Sequence, residues 1–129
     1  MIMNSKKILH KAINQLKKNG KPTPELDSKI LLGYILKQRE KVYFHQEFNL
    51  SKEDENKFMN TIKMREAGKP VSRIIGKKNF WKYDFCISDY TLDPRPDSEL
   101  LIEVALKYFK NKCSNLQILD LGSGSGCLG

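Results

Sequence analysis

The sequence predicts an α+β chain: a helical bundle over residues 1–69, an extended or hairpin linker over 70–93, then a helix and a short strand over 94–129. Three observations carry this. Apolar residues recur at helical spacing as far as Ala67. At Pro70 the composition turns to β-branched and aromatic residues. The short apolar run Leu116–Leu121 then ends in a loop with glycine at 122, 124 and 126.

The first helix is expected over Ser5–Asn19, with Ile8, Leu9, Ala12, Ile13 and Leu16 on one side and lysines mostly on the other. Asn19-Gly20 ends it, because glycine accepts the left-handed cap conformation. Thr23-Pro24-Glu25 restarts a helix: Thr23 can cap, proline suits the first helical position, and Glu25 faces the positive helix end. Leu26, Ile30, Leu31, Tyr34 and Ile35 form its expected buried stripe, to about Lys37. Glu40–Phe48 reads as a short third helix or turn, with Val42, Tyr43 and Phe44 in the core. Ser51–Ala67 is a further helix, in which Ser51 and Asp54 make a capping-box-like pair and Phe58, Met59, Ile62 and Met64 face inward. Gly68 and Pro70 stop it.

Beyond Pro70, Val71–Leu92 reads as extended, with Phe80–Ile87 as a hairpin arm and a turn near Gly76–Asn79 or Lys82–Asp84. Thr91–Pro96 is too rich in proline for regular structure. Asp97–Lys110 returns to helix, with Leu100, Leu101, Val104, Ala105, Leu106 and Phe109 on its expected buried side. Leu116–Leu121 has the length and composition of a buried parallel strand.

Composition bounds the class. The 129 residues are 40% hydrophobic and 29% charged, a globular mixture. No apolar run approaches the ~20 residues that span a bilayer, and the start lacks the apolar segment of a signal peptide. Three cysteines without a CxxC pair argue against a disulfide scaffold or a zinc site and for reduced thiols, hence a cytoplasmic protein. No metal site is expected. The net charge of +8 is concentrated in front: residues 1–24 hold six lysines and no acid, while 84–129 sum to −3. Such an asymmetry suits an anionic partner surface, although a solvated helix face accounts for it more simply. His10 and His45 are solitary, with no partner in the pattern.

The loop Asp120-Leu121-Gly122-Ser123-Gly124-Ser125-Gly126 follows the strand candidate directly. Glycines here let the backbone turn sharply and approach a ligand closely, and Asp120 at the strand end can orient a ligand amine or the loop. The spacing is neither the dinucleotide G-x-G-x-x-G nor a phosphate P-loop, since no Gly-Lys-Ser/Thr follows. An acid followed by alternate glycines resembles the first motif of class I S-adenosylmethionine-dependent methyltransferases.

Pro94-Arg95-Pro96-Asp97-Ser98-Glu99 before a helix, followed by Ile118-Leu119-Asp120-Leu121-Gly122-Ser123-Gly124-Ser125-Gly126-Cys127, resembles the release-factor glutamine methyltransferase family (HemK/PrmC). Gly68–Gly76 and Phe80-Trp81 leading to Phe85 are similar to that family's passage from bundle to hairpin. The resemblance implies a helical bundle joined by a hairpin to a Rossmann-like domain. It implies S-adenosylmethionine as cofactor and methylation of the glutamine in the Gly-Gly-Gln motif of peptide chain release factors, the protein partners. By position, the cofactor-binding residues would be Asp120, Gly122, Ser123, Gly124, Ser125 and Gly126, with Pro94, Arg95, Pro96 and Glu99 beside the pocket. Phe80 and Trp81 are expected in the hairpin core rather than on a ligand. Asp93 stands where the family has an aliphatic residue, and a carboxylate there must be solvated or paired.

The family's catalytic Asn-Pro-Pro-Tyr occurs nowhere in the sequence, so no catalytic residue is assigned. The chain reads as the front portion of a methyltransferase, truncated within its Rossmann-like domain and not expected to turn over alone. Two other classes compete: a stand-alone release-factor-binding module, and a basic nucleic-acid-binding protein. The second is disfavoured because the lysines lack interleaved exposed aromatics and no nucleic-acid motif occurs.

Overall fold

Asn4 starts the first helix by chemistry the sequence did not advertise. Its extended backbone leaves the side-chain Oδ1 to accept the Lys6 N–H at 2.9 Å, opening α1 at Ser5–Lys18. The helix closes with the Lys21 N–H donating to Leu16 O and the Gly20 N–H to Lys17 O, a Schellman motif that needs Gly20 at φ +65°. The computed structural model describes residues 3–37, 47, 49–110 and 117–128. Within them the chain divides into two units, Met1–Ile75 and Gly76–Gly129.

In the first unit, α2 spans Pro24–Leu36 with proline at its first turn, and α3 spans Lys52–Glu66. Ser51 caps α3 as expected, accepting the Asp54 N–H at 3.0 Å while its own hydroxyl donates to the Asp54 carboxylate. Thr23 does not cap with its side chain: its hydroxyl donates to Asp27 Oδ1 at 2.9 Å instead. Strands β1 (Met3–Asn4) and β2 (Asn49–Leu50) pair antiparallel and bring the start of α1 beside the start of α3. At the other end, Gln15 and Asn19 of α1 both donate to Glu66 of α3. The two helices therefore run parallel, with α2 packed on both. Glu40–Phe48, expected as a short third helix or turn, lies outside the described residues except for Glu47, which accepts from Asn4 and Lys6.

The core is Ile8, Ala12, Leu16, Leu31, Leu32, Leu50, Phe58 and Ile62, all buried. Leu26 and Tyr34, expected in it, are 49% and 42% exposed, and Met64 is 49% exposed. The α2 sequence is apolar around most of its circumference, so periodicity could not choose a face, and packing against α1 and α3 chose the one bearing Ser28 and Leu31. That face carries a charge as well. Asp27 is buried and accepts from Arg65 Nε of α3 at 2.7 Å, an ion pair whose side chains are only 8% and 15% exposed. Val71–Ile75, expected as extended, is a short helix, α4, whose Val71, Ile74 and Ile75 pack against this core. An i, i+3, i+4 spacing of apolar residues served the bundle better than β propensity served a strand.

In the second unit, β3 (Lys77–Phe80) and β4 (Tyr83–Cys86) form an antiparallel hairpin in the register Lys77↔Cys86 to Phe80↔Tyr83. Its turn is Trp81-Lys82, which overlaps the second of the two expected turn positions, Lys82–Asp84, and not the first, Gly76–Asn79, and it divides Phe80–Ile87 between the two strands. Phe80 is buried and meets Phe85 edge-on at 6.2 Å, as a hairpin core should. A 3₁₀ turn at Pro96–Ser98 leads into α5, Glu99–Phe109. The helix forms where expected, but none of its residues is buried: Leu100 and Leu101 are each 62% exposed and Val104 57%.

The expected strand over Leu116–Leu121 is also absent among the described residues: 117–120 have no regular structure, and Ile118 and Leu119 are 80% exposed. A parallel strand exists only through bonds to neighbours, and the described sheets are the two antiparallel pairs β1–β2 and β3–β4 alone. The chain is thus mixed helix and small sheet, mostly helical.

Candidate functional site

The glycine bend is built from backbone conformations that other residues resist. Gly122, Gly124 and Gly126 have φ of +75°, +56° and +75°, while the described serines between them do not share the positive sign. Alternation of this kind gathers successive N–H groups on a concave side, a surface that receives negative or hydrogen-bond-accepting ligand atoms. One of these groups is already engaged, the Gly126 N–H donating to Ser123 O at 2.8 Å. A Cβ at Gly122 or Gly126 would meet nothing within 4 Å, and one at Gly124 only Gly122 O at 3.8 Å. Glycine is therefore required by φ, and the space a side chain would enter stands open. Ser123 is exposed and Ser125 half-buried.

Asp120 opens the bend. It is half-buried, and its Oδ2 is closed off from solvent with no hydrogen-bond partner among the described residues. A buried carboxylate oxygen without a donor costs free energy that a bound N–H or O–H would recover. No hydrogen bond or ion pair joins the bend to Arg95, Pro96 or Glu99 among the described residues.

Those three lie around the start of α5. Arg95 is exposed in extended backbone; its carbonyl accepts the Ser98 N–H at 3.0 Å, and its guanidinium has no ion pair among the described residues. Pro96 opens the 3₁₀ turn and is exposed, while Pro94 is buried. Glu99 is half-buried and turned to the hairpin, where its Oε1 accepts the Trp81 N–H at 2.9 Å. An Arg95–Glu99 salt bridge is not formed. Asp93 is half-buried and has a polar partner.

Sequence reasoning missed the Trp81–Glu99 contact, whose only trace was a bulky residue near an expected turn. It also left His10 without a partner, whereas Asn14 Nδ2 lies 3.3 Å from its Nδ1; His45 lies outside the described residues. Cys86 is an exposed thiol and Cys127 a half-buried one. Among the described residues there is no group of three or more His, Cys, Asp and Glu able to hold a metal, and no helix long and apolar enough to cross a membrane.

Comparison with known proteins adds identity to this geometry. The family description "PrmC N-terminal domain" matches residues 7–76. The release factor glutamine methyltransferase of Buchnera aphidicola subsp. Schizaphis graminum is 44% identical over 128 residues, 98% of this chain and 45% of that protein. The protein of the same name from Shewanella oneidensis is 41% identical over 104 residues, covering 80% of this chain and 36% of its own length. That of Rhodospirillum rubrum is 36% identical over 123 residues, with 95% and 37% covered. The chain spans less than half the length of these curated relatives.

Proposed function

The chain belongs to the PrmC N-terminal domain family, and from that premise we propose that it is the N-terminal part of a protein-(glutamine-N5) methyltransferase. In this reading it serves methylation of the Gly-Gly-Gln glutamine of peptide chain release factors in the cytoplasm. The observation that carries the proposal is similarity to proteins named release factor glutamine methyltransferase over almost the whole chain, the glycine bend included. Residues 1–69 are assigned to docking the release factor, 70–93 to the linker, and 94–129 to the start of a Rossmann-like cofactor domain. The exposed apolar residues of α5, and separately Ile118 and Leu119, support that last assignment, because large apolar side chains concentrated in one segment ordinarily pack against further structure.

The bend fits S-adenosylmethionine on its own chemistry. The orphaned Asp120 Oδ2 needs a donor, which the cofactor's amine and hydroxyl groups supply, and three open positive-φ glycines leave room for close backbone approach. Asp120, Gly122, Ser123, Gly124, Ser125 and Gly126 would hold it, with Arg95 and Pro96 at the border. Glu99 would act there with one oxygen already committed to Trp81. When bound, the cofactor supplies an electrophilic methyl group on sulfonium. This chain's residues bind and orient; with no Asn-Pro-Pro-Tyr, they are not assigned the alignment of the glutamine amide.

Equilibrium binding of labelled S-adenosylmethionine tests the reading. Micromolar affinity that falls at least ten-fold in Asp120→Ala is expected. No binding at millimolar cofactor, with release factor still retained by the chain, would leave a stand-alone docking module instead.

A further inference from the structure

Trp81 occupies backbone geometry that its side chain does not favour. It is the first of the two residues joining β3 to β4, and of the two it alone has a positive φ, +55°. That is the pattern of a II′ turn, whose first central position ordinarily takes glycine, and for a bulky residue a positive φ is an outlier. Outliers of this kind persist where the surroundings over-determine them.

Here the surroundings include one bond from far along the chain. The Trp81 N–H donates to Glu99 Oε1 at 2.9 Å, between residues 18 apart in sequence. A carboxylate acceptor makes such a bond shorter and stronger than a neutral pair. Glu99 is in turn the first residue of α5, directly after the 3₁₀ turn that the Arg95 carbonyl and Ser98 N–H close.

We infer that Glu99 is a positioning residue, a latch whose carboxylate holds the strained Trp81 turn onto the start of α5. The hairpin tip and the Arg95–Glu99 segment then behave as one piece. The latch stands on geometry alone. Its consequence rests on the proposed function: with Arg95 and Pro96 bordering the cofactor, the latch fixes where that border lies.

The full chain offers a direct readout, since Trp81 is its one tryptophan. In Glu99→Ala, hydrogen exchange of the residue-81 amide should quicken at least ten-fold and the tryptophan emission should shift to the red. Two conservative variants separate a latch from a charge at a helix N-terminus. Gln keeps an acceptor oxygen at the same reach, whereas Asp keeps the charge and loses a methylene of length. The latch predicts that amide 81 keeps part of its protection in Glu99→Gln, whose neutral acceptor makes a weaker bond, and loses it in Glu99→Asp; the reverse order, or exchange within two-fold of parent in Glu99→Ala, overturns it.

Should Glu99→Ala fail to fold, Trp81→Gly supplies the second arm. Glycine takes the positive φ unaided, so Glu99→Asp should no longer quicken exchange along the β3–β4 ladder in that background. Undiminished quickening there refutes the latch. Cofactor titrations of the same samples judge the proposed function separately, because the exchange readout needs no ligand.

Discussion

Helices α1 and α5 look alike in sequence and end in opposite situations. Each has apolar residues at helical spacing and good local propensity, and each forms where expected. Yet α1 buries Ile8, Ala12 and Leu16, and α5 buries nothing. The difference lies in what each meets. Two further helices and a strand offer apolar faces to α1, whereas among the described residues of the second unit none covers α5. Periodicity decides whether a helix forms and which side is apolar; burial depends on the partners that side finds.

The largest expected effects test that contrast directly. Phe58→Ala should destabilise the bundle by about 4 kcal/mol in denaturant unfolding, because a fully buried ring leaves a cavity. Leu100→Ala on α5 should change stability by less than ~0.5 kcal/mol, the size typical of surface substitutions. A loss at Leu100 approaching that at Phe58 would mean α5 is covered in solution, and the contrast would fail.

Next comes Asp27→Ala. It strands the Arg65 guanidinium, only 15% exposed, and should cost about 3 kcal/mol by the same measurement. A smaller loss in Asp27→Asn would show how much of the tie is hydrogen bonding rather than charge.

The smallest effect is a pH dependence of the first unit. Hydrogen bonds from Lys6 and Asn4 hold the Glu47 carboxyl below its ordinary 4.5. Its contribution is therefore present above about 4.5 and lost as pH falls through the lower folded value. Lys57 is shifted upward from 10.5 by the Glu53 carboxylate, so its contribution is present below 10.5 and fades as pH rises through the folded value. Thermal melts of Glu47→Gln should lose only that part of the acid response which Glu47 carries and keep the alkaline part.

Much of the bundle could be read in advance because its signals are local. The Ser51 cap, the glycine stop at Gly20 and the proline start at Pro24 act within one turn of chain. What could not be read depended on residues distant in sequence. Asp27 stands in the first turn of α2, where nothing local announces that Arg65, 38 residues on, pairs with it in the interior. Trp81 gave no hint that Glu99 would accept its N–H. The bend at Gly122–Gly126 was legible as backbone, through its glycines, while the strand expected over Leu116–Leu121 does not form among the described residues, since a strand is a property of a sheet.

Because α1 and α3 run parallel and close side by side, their C-terminal carbonyls face the same way, and Glu66 adds a carboxylate between them. Two dipoles pointing their negative poles at one spot would repel that carboxylate were the Gln15 and Asn19 amides not donating to it. Lys17 and Lys18 in the final turn of α1, with Lys63 in that of α3, answer the same field from outside. Part of the cationic excess at the front of the chain is thus spoken for within the fold, and a visiting anion there competes with the molecule's own peptide groups.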